Sequence, residues 1–135
     1  MILRSFFTWF YSGPTFEHSR LEIVVWWEKR RIPYNLIVGV IGFISLLFFY
    51  LFIDLAHGVK PGEDAVEPMA LILAPIAINI CYTGGWLVEL ILSFFKRNDS
   101  RPIGPILLKA GVIFSIVMVL IPSVFWFITF VLRSI

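Results

Sequence analysis

The sequence predicts an all-α integral membrane protein with three transmembrane helices, preceded by an N-terminal helical segment at the membrane interface or in the cytoplasm. Of its 135 residues, 59% are hydrophobic and 17% aromatic, and the mean hydropathy is +0.91. One soluble domain of this size cannot bury so much apolar surface. Three stretches are long enough to cross a hydrocarbon core of about 30 Å at about 1.5 Å per helical residue. They are residues 35–56, 69–95 and 103–132.

The first 34 residues form the predicted interfacial and cytoplasmic segment, which precedes the three-span domain of residues 35–135. Its start is crowded with aromatic side chains, which favour the headgroup layer of a membrane. They are Phe6, Phe7, Trp9, Phe10 and Tyr11, followed by a predicted turn at Gly13-Pro14. This pattern fits an interfacial segment, and equally a tail that docks on the chain's own helices or on a partner. It lacks the cleavage site of a signal peptide, so we expect it to be retained.

A further helix is predicted after this turn. Ser19 and Glu22 have the spacing of a capping box, and Pro33 is expected to end the helix. About 13 residues are too few to cross a bilayer, so this helix should lie at the interface or be covered by protein. A buried strand is the alternative, because residues 21–27, L-E-I-V-V-W-W, are rich in strand formers.

Lysine and arginine are concentrated on one side of the predicted membrane. Eight precede the first span or lie between the second and third, and they are Arg4, Arg20, Lys29, Arg30, Arg31, Lys96, Arg97 and Arg101. Because positive loops stay in the cytoplasm, the N-terminus is predicted to be cytoplasmic and the C-terminus outside. Lys29, Arg30 and Arg31 are also candidates for contact with lipid headgroups. The net charge is only +2 and the basic residues form no face, so no nucleic acid partner is expected.

Small residues mark where the membrane helices are predicted to pack. In lipid, helices associate through close contact at small side chains and through hydrogen bonds, without a hydrophobic force. Gly39 and Gly42 belong to such a stripe on the first span, and Gly111 and Ser115 belong to one on the third. Both stripes predict helix packing, either within the chain or between subunits.

The second span carries the most polar stripe. At about 100° per residue, one side of this helix collects six polar or aromatic side chains. They are Asn79, Tyr82, Thr83, Trp86, Glu89 and Ser93. Glu89 is the only acid of the span, and an unpaired carboxylate at the bilayer centre costs at least ~2.5 kcal/mol. Lys109 follows the predicted hairpin midpoint at Asp99 by as many residues as Glu89 precedes it, which predicts a Glu89–Lys109 pair.

Three roles are open for this stripe. The favoured interpretation is that it locks the helices in register. It can instead line a path for protons, ions or small solutes, or bind a headgroup, because ionisable groups within a membrane are functional candidates. The third role is a subunit interface that buries Glu89 against another chain.

The sequence contains no recognisable catalytic or cofactor-binding motif. H-E-x-x-H, G-x-S-x-G, P-loop, haem-attachment and dinucleotide patterns are all missing. The single cysteine, Cys81, can form neither an intrachain disulfide nor a paired zinc site. We therefore predict no catalytic residue, metal or cofactor, although a bound lipid is compatible with the chain. A lipid-processing enzyme that uses Glu89 is the least favoured alternative, because no nucleophile and base are visible together.

Two segments together resemble a group of small multi-pass inner-membrane proteins of bacteria that have no assigned activity. They are W-W-E-K-R-R-I-P-Y-N-L-I-V-G at residues 26–39 and N-I-C-Y-T-G-G-W-L-V-E-L at residues 79–90. In that group an E-K-R-R-x-x-Y-N boundary precedes the first span, and an N-I-C-Y-T-x-G-W segment lies in a later one. The resemblance implies a bacterial cytoplasmic membrane and directs attention to a few positions. These are Tyr34, Asn35, Asn79, Tyr82 and Glu89.

The chain is predicted to work as a non-enzymatic membrane subunit that assembles with itself or with a larger membrane complex. Its loops are short, so little folded mass lies outside the bilayer to act alone. The alternative is a homo-oligomeric small channel or transporter in which the stripe from Asn79 to Glu89 faces a common axis. Three spans are few for a transporter that acts as a monomer.

Overall fold

The described part of the chain consists of helices and their connections. A computed structural model describes residues 2–13, 20–58, 60, 62–63, 68–95 and 103–135. These residues contain no strand, and their four helices are α1 (Ile2–Phe10), α2 (Arg20–Leu55), α3 (Pro68–Phe95) and α4 (Gly104–Ser134). The last three helices are each long and apolar enough to cross a membrane. The all-α class with three candidate membrane spans is therefore confirmed.

Helix α2 continues through Pro33, where the sequence predicted an end. It is one continuous helix of 36 residues, about 54 Å long. The predicted separate short helix and the alternative of a buried strand were therefore both wrong. Pro33 removes the hydrogen bond that its N–H would have donated to the carbonyl of Lys29, and its ring crowds that carbonyl. Trp27 and Tyr34 are both 1% exposed and hold the turns on either side of Pro33 against the other helices.

Helices α2 and α4 pack against each other along most of their length. Near the middle, the Ser45 hydroxyl donates to the carbonyl of Val119 at 2.6 Å. Gly42 faces the same turn of α4, where a Cβ added to it would meet Val119 at 3.7 Å. At the far end, Arg133 donates to the carbonyl of Ala56. Small residues and hydrogen bonds thus form this seam, as expected for helices in lipid.

The four predicted packing residues divide into two groups. Gly42 lies at the seam between α2 and α4, and Ser115 lies there too, because its hydroxyl is 2.6 Å from that of Tyr34. Gly39 and Gly111 face away from the seam, since a Cβ on either would meet nothing within 4 Å. Packing of Gly39 and Gly111 within the chain is therefore not observed among the described residues, and their contact with another subunit stays a prediction.

Helix α3 packs against α2 and α4 from Ile78 onward. Every residue from 69 to 77 is exposed. Leu71 and Ala74 each lie 11 residues, about three turns, before Tyr82 and Gly85, so they belong to the same side of the helix. Tyr82 and Gly85 face α2, whereas Leu71 is 47% exposed. A crevice therefore separates the first half of α3 from the α2–α4 pair.

The C-terminus of α2 is closed by a Schellman motif. Gly58 N–H donates to the carbonyl of Ile53 and His57 N–H donates to that of Asp54, both at 2.9 Å. His57 takes the left-handed position of this motif, with φ +47°. Asp54 and His57 thus belong to a helix cap, in which the backbone does the bonding.

Candidate functional site

Glu89 joins the three long helices at one buried junction. Its side chain extends from α3 and the residue is 9% exposed. Oε2 accepts a hydrogen bond from the indole Nε1 of Trp27 on α2 at 2.6 Å. Oε1 accepts one from the backbone N–H of Gly104, the first residue of α4, at 2.7 Å. A single carboxylate therefore connects α2, α3 and α4.

The start of α4 explains why an acid is needed at this place. A helix N-terminus presents unsatisfied N–H groups and a partial positive charge. Ile103 precedes α4 and makes no side-chain cap, and Pro105 adds no N–H donor. Glu89 supplies the missing acceptor and a complementary charge from α3. Gly104 permits this approach, because a Cβ there would lie 2.6 Å from Oε2 of Glu89.

The predicted Glu89–Lys109 pair was wrong. Both oxygens of Glu89 bind other donors, and Lys109 is exposed. Lys109 is five residues beyond Gly104, which rotates it by about 140° around α4 and away from the carboxylate. The backbone N–H at the start of α4 thus takes the place that the sequence assigned to a lysine.

Tyr82 and Trp27 form the aromatic part of this junction. The Tyr82 hydroxyl donates to the backbone carbonyl of Trp27, and their rings meet edge to face at 5.2 Å. Tyr34 packs on the other side of Tyr82 with ring centroids 4.6 Å apart. Gly85 leaves room for the Trp27 ring, which an added Cβ would meet at 3.1 Å. Trp27 is consequently fixed at both its backbone and its indole N–H.

Asn35 and Asn79 form a reciprocal amide pair between α2 and α3. Asn35 Nδ2 donates to Asn79 Oδ1 at 3.1 Å, and Asn79 Nδ2 donates to Asn35 Oδ1 at 3.2 Å. Asn79 Nδ2 also lies 3.0 Å from the carbonyl of Pro75. The pair satisfies amide groups that would otherwise face apolar surroundings, and it adds a second connection about three turns from Glu89.

Thr83 and Trp86 lie on the flank of the α3 stripe. The Thr83 hydroxyl donates to the carbonyl of Asn79 at 2.8 Å and lies 3.4 Å from an η nitrogen of Arg31. Trp86 is half-buried and packs against the core. Its indole N–H is buried and has no hydrogen-bond partner among the described residues. Thr83 is thus bonded within α3 and to α2, whereas the Trp86 indole N–H is unsatisfied among the described residues.

Arg30 is a buried cap for α1, which corrects its prediction as a headgroup contact. The residue is only 4% exposed. Its guanidinium donates to the carbonyls of Phe10 at 2.8 Å, Trp9 at 2.7 Å and Ser12 at 3.2 Å. It also lies 4.0 Å from the ring centroid of Trp26. A cation at a helix C-terminus is favourable, so Arg30 holds the N-terminal segment against α2. Of this segment, Pro14 and Ser19 lie outside the described residues.

Lys29 and Arg31 are the two basic residues of the cluster that reach the surface. Lys29 is exposed. Arg31 forms an ion pair with Glu28 at 2.7 Å and lies 5.3 Å from the ring centroid of Tyr82. Its Nε is buried and has no partner within the part of the chain that the structure describes. The headgroup prediction for these two residues stays a prediction.

Sequence reasoning missed Trp27 and Gly104 as members of the junction. A usable signal was present at the start of the third span, where Ile103-Gly104-Pro105 lacks the Ser, Thr, Asp or Asn that usually caps a helix. An uncapped helix near an unexplained acid predicts that the acid is the cap. No comparable signal marks Trp27, because indole partners depend on packing.

Comparison with protein-family models gives no match for this chain, and comparisons with curated proteins and with solved structures give none either. The resemblance to small bacterial inner-membrane proteins thus stays a prediction. The two segments that carry it do face each other in the fold. Asn35 bonds to Asn79, and Trp27 contacts Tyr82 and Glu89.

Proposed function

We propose that the chain is a non-enzymatic integral membrane subunit, and that it receives an apolar helix of another subunit in the crevice beside α3. The second subunit is either another copy of this chain or a member of a larger complex. The chain is proposed to lie in a bacterial cytoplasmic membrane. The distribution of its basic residues favours a cytoplasmic N-terminus and an external C-terminus.

The exposed inner side of α3 carries this proposal. Tyr82, Gly85 and Glu89 use that side of the helix to contact α2 and α4. Three turns earlier, Leu71 and Ala74 continue the same side and are exposed among the residues that the structure describes. Ala74 is small enough for a close helix–helix approach, which is how helices associate in lipid. A transmembrane helix of a partner would restore the packing that this part of α3 lacks.

The bonding of the polar stripe favours assembly over the alternative of a channel or transporter. Both oxygens of Glu89 and the hydroxyl of Tyr82 bond to α2 and α4, and the amide of Asn79 bonds to Asn35. In a channel, these side chains would have to point toward the central axis of an oligomer, and their hydrogen bonds to α2 and α4 would be broken. Leaving a buried polar group unsatisfied costs about 1–3 kcal/mol.

Native mass spectrometry of the chain, purified from its membrane in nanodiscs, tests the proposal. We expect either a defined homo-oligomer or a complex with a fixed set of other membrane proteins. The first result identifies a second copy as the partner, and the second identifies a larger complex. A monomer over the whole accessible concentration range would refute the proposal.

A matched pair of substitutions locates the interface. Leu71 and Leu73 are 47% and 54% exposed and are separated by about 200° around α3. Leu71→Trp places a large ring in the crevice and should abolish the association. Leu73→Trp places the same ring on the opposite side and should leave it intact. Equal behaviour of the two variants would exclude the crevice as the interface.

A further inference from the structure

A shallow groove runs along one flank of α3, and Pro75 and Asn79 lie at its inner edge. Ile76, Ile80 and Leu87 give it apolar walls, and Thr83 and Gly84 lie between them. A Cβ on Gly84 would meet nothing within 4 Å, so the groove is open at this point. From Ile76 to Thr83 the groove is about 10 Å long, which is comparable with the depth of one leaflet of a hydrocarbon core of about 30 Å.

A positive charge lies beside this groove at Thr83. An η nitrogen of Arg31 is 3.4 Å from Thr83 Oγ1, and the residue is about one third exposed. Arg31 Nε has no partner among the described residues, and neither has the indole N–H of Trp86, one turn beyond Thr83 on α3. A phosphate group has only acceptor oxygens and binds a guanidinium in a two-point geometry. Arg31 Nε and the Trp86 indole N–H are themselves buried, so the partly exposed end of the Arg31 guanidinium is the donor that a phosphate in the groove would meet.

A negative charge lies beside the positive one. Glu28 is 2.7 Å from Arg31 and 46% exposed. Adjacent positive and negative groups of this kind complement a headgroup in which a phosphate is joined to a primary ammonium. The ammonium would donate to Glu28 while the phosphate accepts from Arg31. A choline headgroup carries no N–H to donate, and a glycerol headgroup carries no positive charge.

We propose that the α3 groove and the Glu28–Arg31 pair form a binding site for a phospholipid of the phosphatidylethanolamine class. One acyl chain lies in the groove against Ile76 and Ile80, and the headgroup lies against Arg31 and Glu28, next to Thr83 and Gly84. Leu71 and Ala74, which mark the crevice, are not among the residues that line this groove.

Lipid binding to the full chain, measured by native mass spectrometry from detergent, tests this site. Ethanolamine, choline and glycerol phospholipids with identical acyl chains are titrated separately. We expect the ethanolamine lipid to bind about tenfold more tightly than the choline lipid, as one charged hydrogen bond provides. Equal affinities for the three lipids would overturn the proposal. Displacement of the lipid by inorganic phosphate at the same concentration would also overturn it, because the site would then recognise phosphate alone.

Two matched pairs of variants connect the binding to the residues. Arg31→Gln should weaken binding about tenfold, whereas Lys29→Gln should not, because Lys29 lies about 200° around α2 from Arg31. Gly84→Leu fills the groove and should abolish binding, whereas Gly39→Leu, at an equally open position, should not. Glu28→Gln should remove the preference for ethanolamine over glycerol headgroups.

Far-UV circular dichroism provides the check that each variant has kept its helices. Wild-type affinity in Arg31→Gln or Gly84→Leu would refute the site. Equal losses in Arg31→Gln and Lys29→Gln would also refute it, since they would indicate a general attraction to basic residues.

Discussion

Replacing Gly104 by alanine tests whether Glu89 caps α4. The structure provides a control in the same helix, because Gly111 can receive the same methyl group in open space. A Cβ on Gly104 would lie 2.6 Å from Oε2 and 3.0 Å from Oε1 of Glu89. Both substitutions add one methyl group, but only the methyl group at position 104 displaces the Glu89 carboxylate.

The size of the effect follows from this distance. Restoring an ordinary contact of about 3.4 Å moves the carboxylate by about 0.8 Å, which lengthens its 2.7 Å bond to Gly104 N to about 3.5 Å and breaks it. A hydrogen bond to a charged group is worth about 1.5–3 kcal/mol, and alanine returns about 0.5–1 kcal/mol relative to glycine in a helix. Gly104→Ala should therefore lower the free energy of unfolding by about 1–2 kcal/mol. Gly111→Ala should raise it by up to about 1 kcal/mol.

The measurement is reversible unfolding in mixed detergent micelles with increasing dodecyl sulfate, followed by far-UV circular dichroism. Tryptophan fluorescence adds a local readout, because Trp27 shares the carboxylate with Gly104. The expected difference between the two variants is about 1–3 kcal/mol. If Gly104→Ala is as stable as Gly111→Ala, Glu89 does not cap α4 and the account of the junction fails.

Three further predictions test other contacts. Arg30→Met removes the donors that hold the α1 carbonyls, so proteolysis after Phe10 should accelerate while the unfolding transition of the long helices changes little; an unchanged cleavage rate would contradict this role. Asn35→Leu and Asn79→Leu should each destabilise the chain, and the double variant by less than their sum, with a coupling free energy of about 0.6–1.7 kcal/mol in dodecyl sulfate unfolding; strict additivity would refute the amide pair. His57→Gly should raise the free energy of unfolding by up to about 1 kcal/mol, because glycine adopts the left-handed conformation without strain, whereas His57→Ala should give no gain in the same assay.

The three candidate membrane spans could be predicted because apolar length is a property of the sequence itself. The start of the first long helix could not. The predicted span begins at Asn35, but α2 begins at Arg20 and passes Pro33. Proline weakens a helix locally, whereas the tertiary contacts of Trp27 and Tyr34 stabilise it on both sides. Contacts between distant residues decide such a case, and one sequence does not reveal them.

The polar residues of α3 could also be selected from the sequence, because helical periodicity places them on one side. Their partners were harder to predict. Glu89 bonds to a backbone N–H and an indole, and Tyr82 bonds to a backbone carbonyl. Reasoning from charge alone selects a lysine as the partner of Glu89. Every residue has backbone N–H and C=O groups, so the sequence does not indicate which of them binds the carboxylate. A missing N-cap is the exception, because the residues around Gly104 reveal an unsatisfied helix end.

The position of the junction on α3 explains how the same helix can be firmly held and still have a free side. A lysine partner would leave Glu89 some freedom, because its long side chain can follow the carboxylate. The N–H groups at the N-terminus of α4 have a fixed direction within the helix. The bond from Gly104 to Glu89 therefore fixes the position of the second half of α3 along its axis and its rotation about that axis. Among the described residues, Asn79 is the first α3 residue in chain order that bonds to α2, and residues 69–77 before it are exposed. Anchoring at one end therefore produces the crevice beside Leu71 and Ala74, and a partner helix can enter there without breaking any bond of the junction.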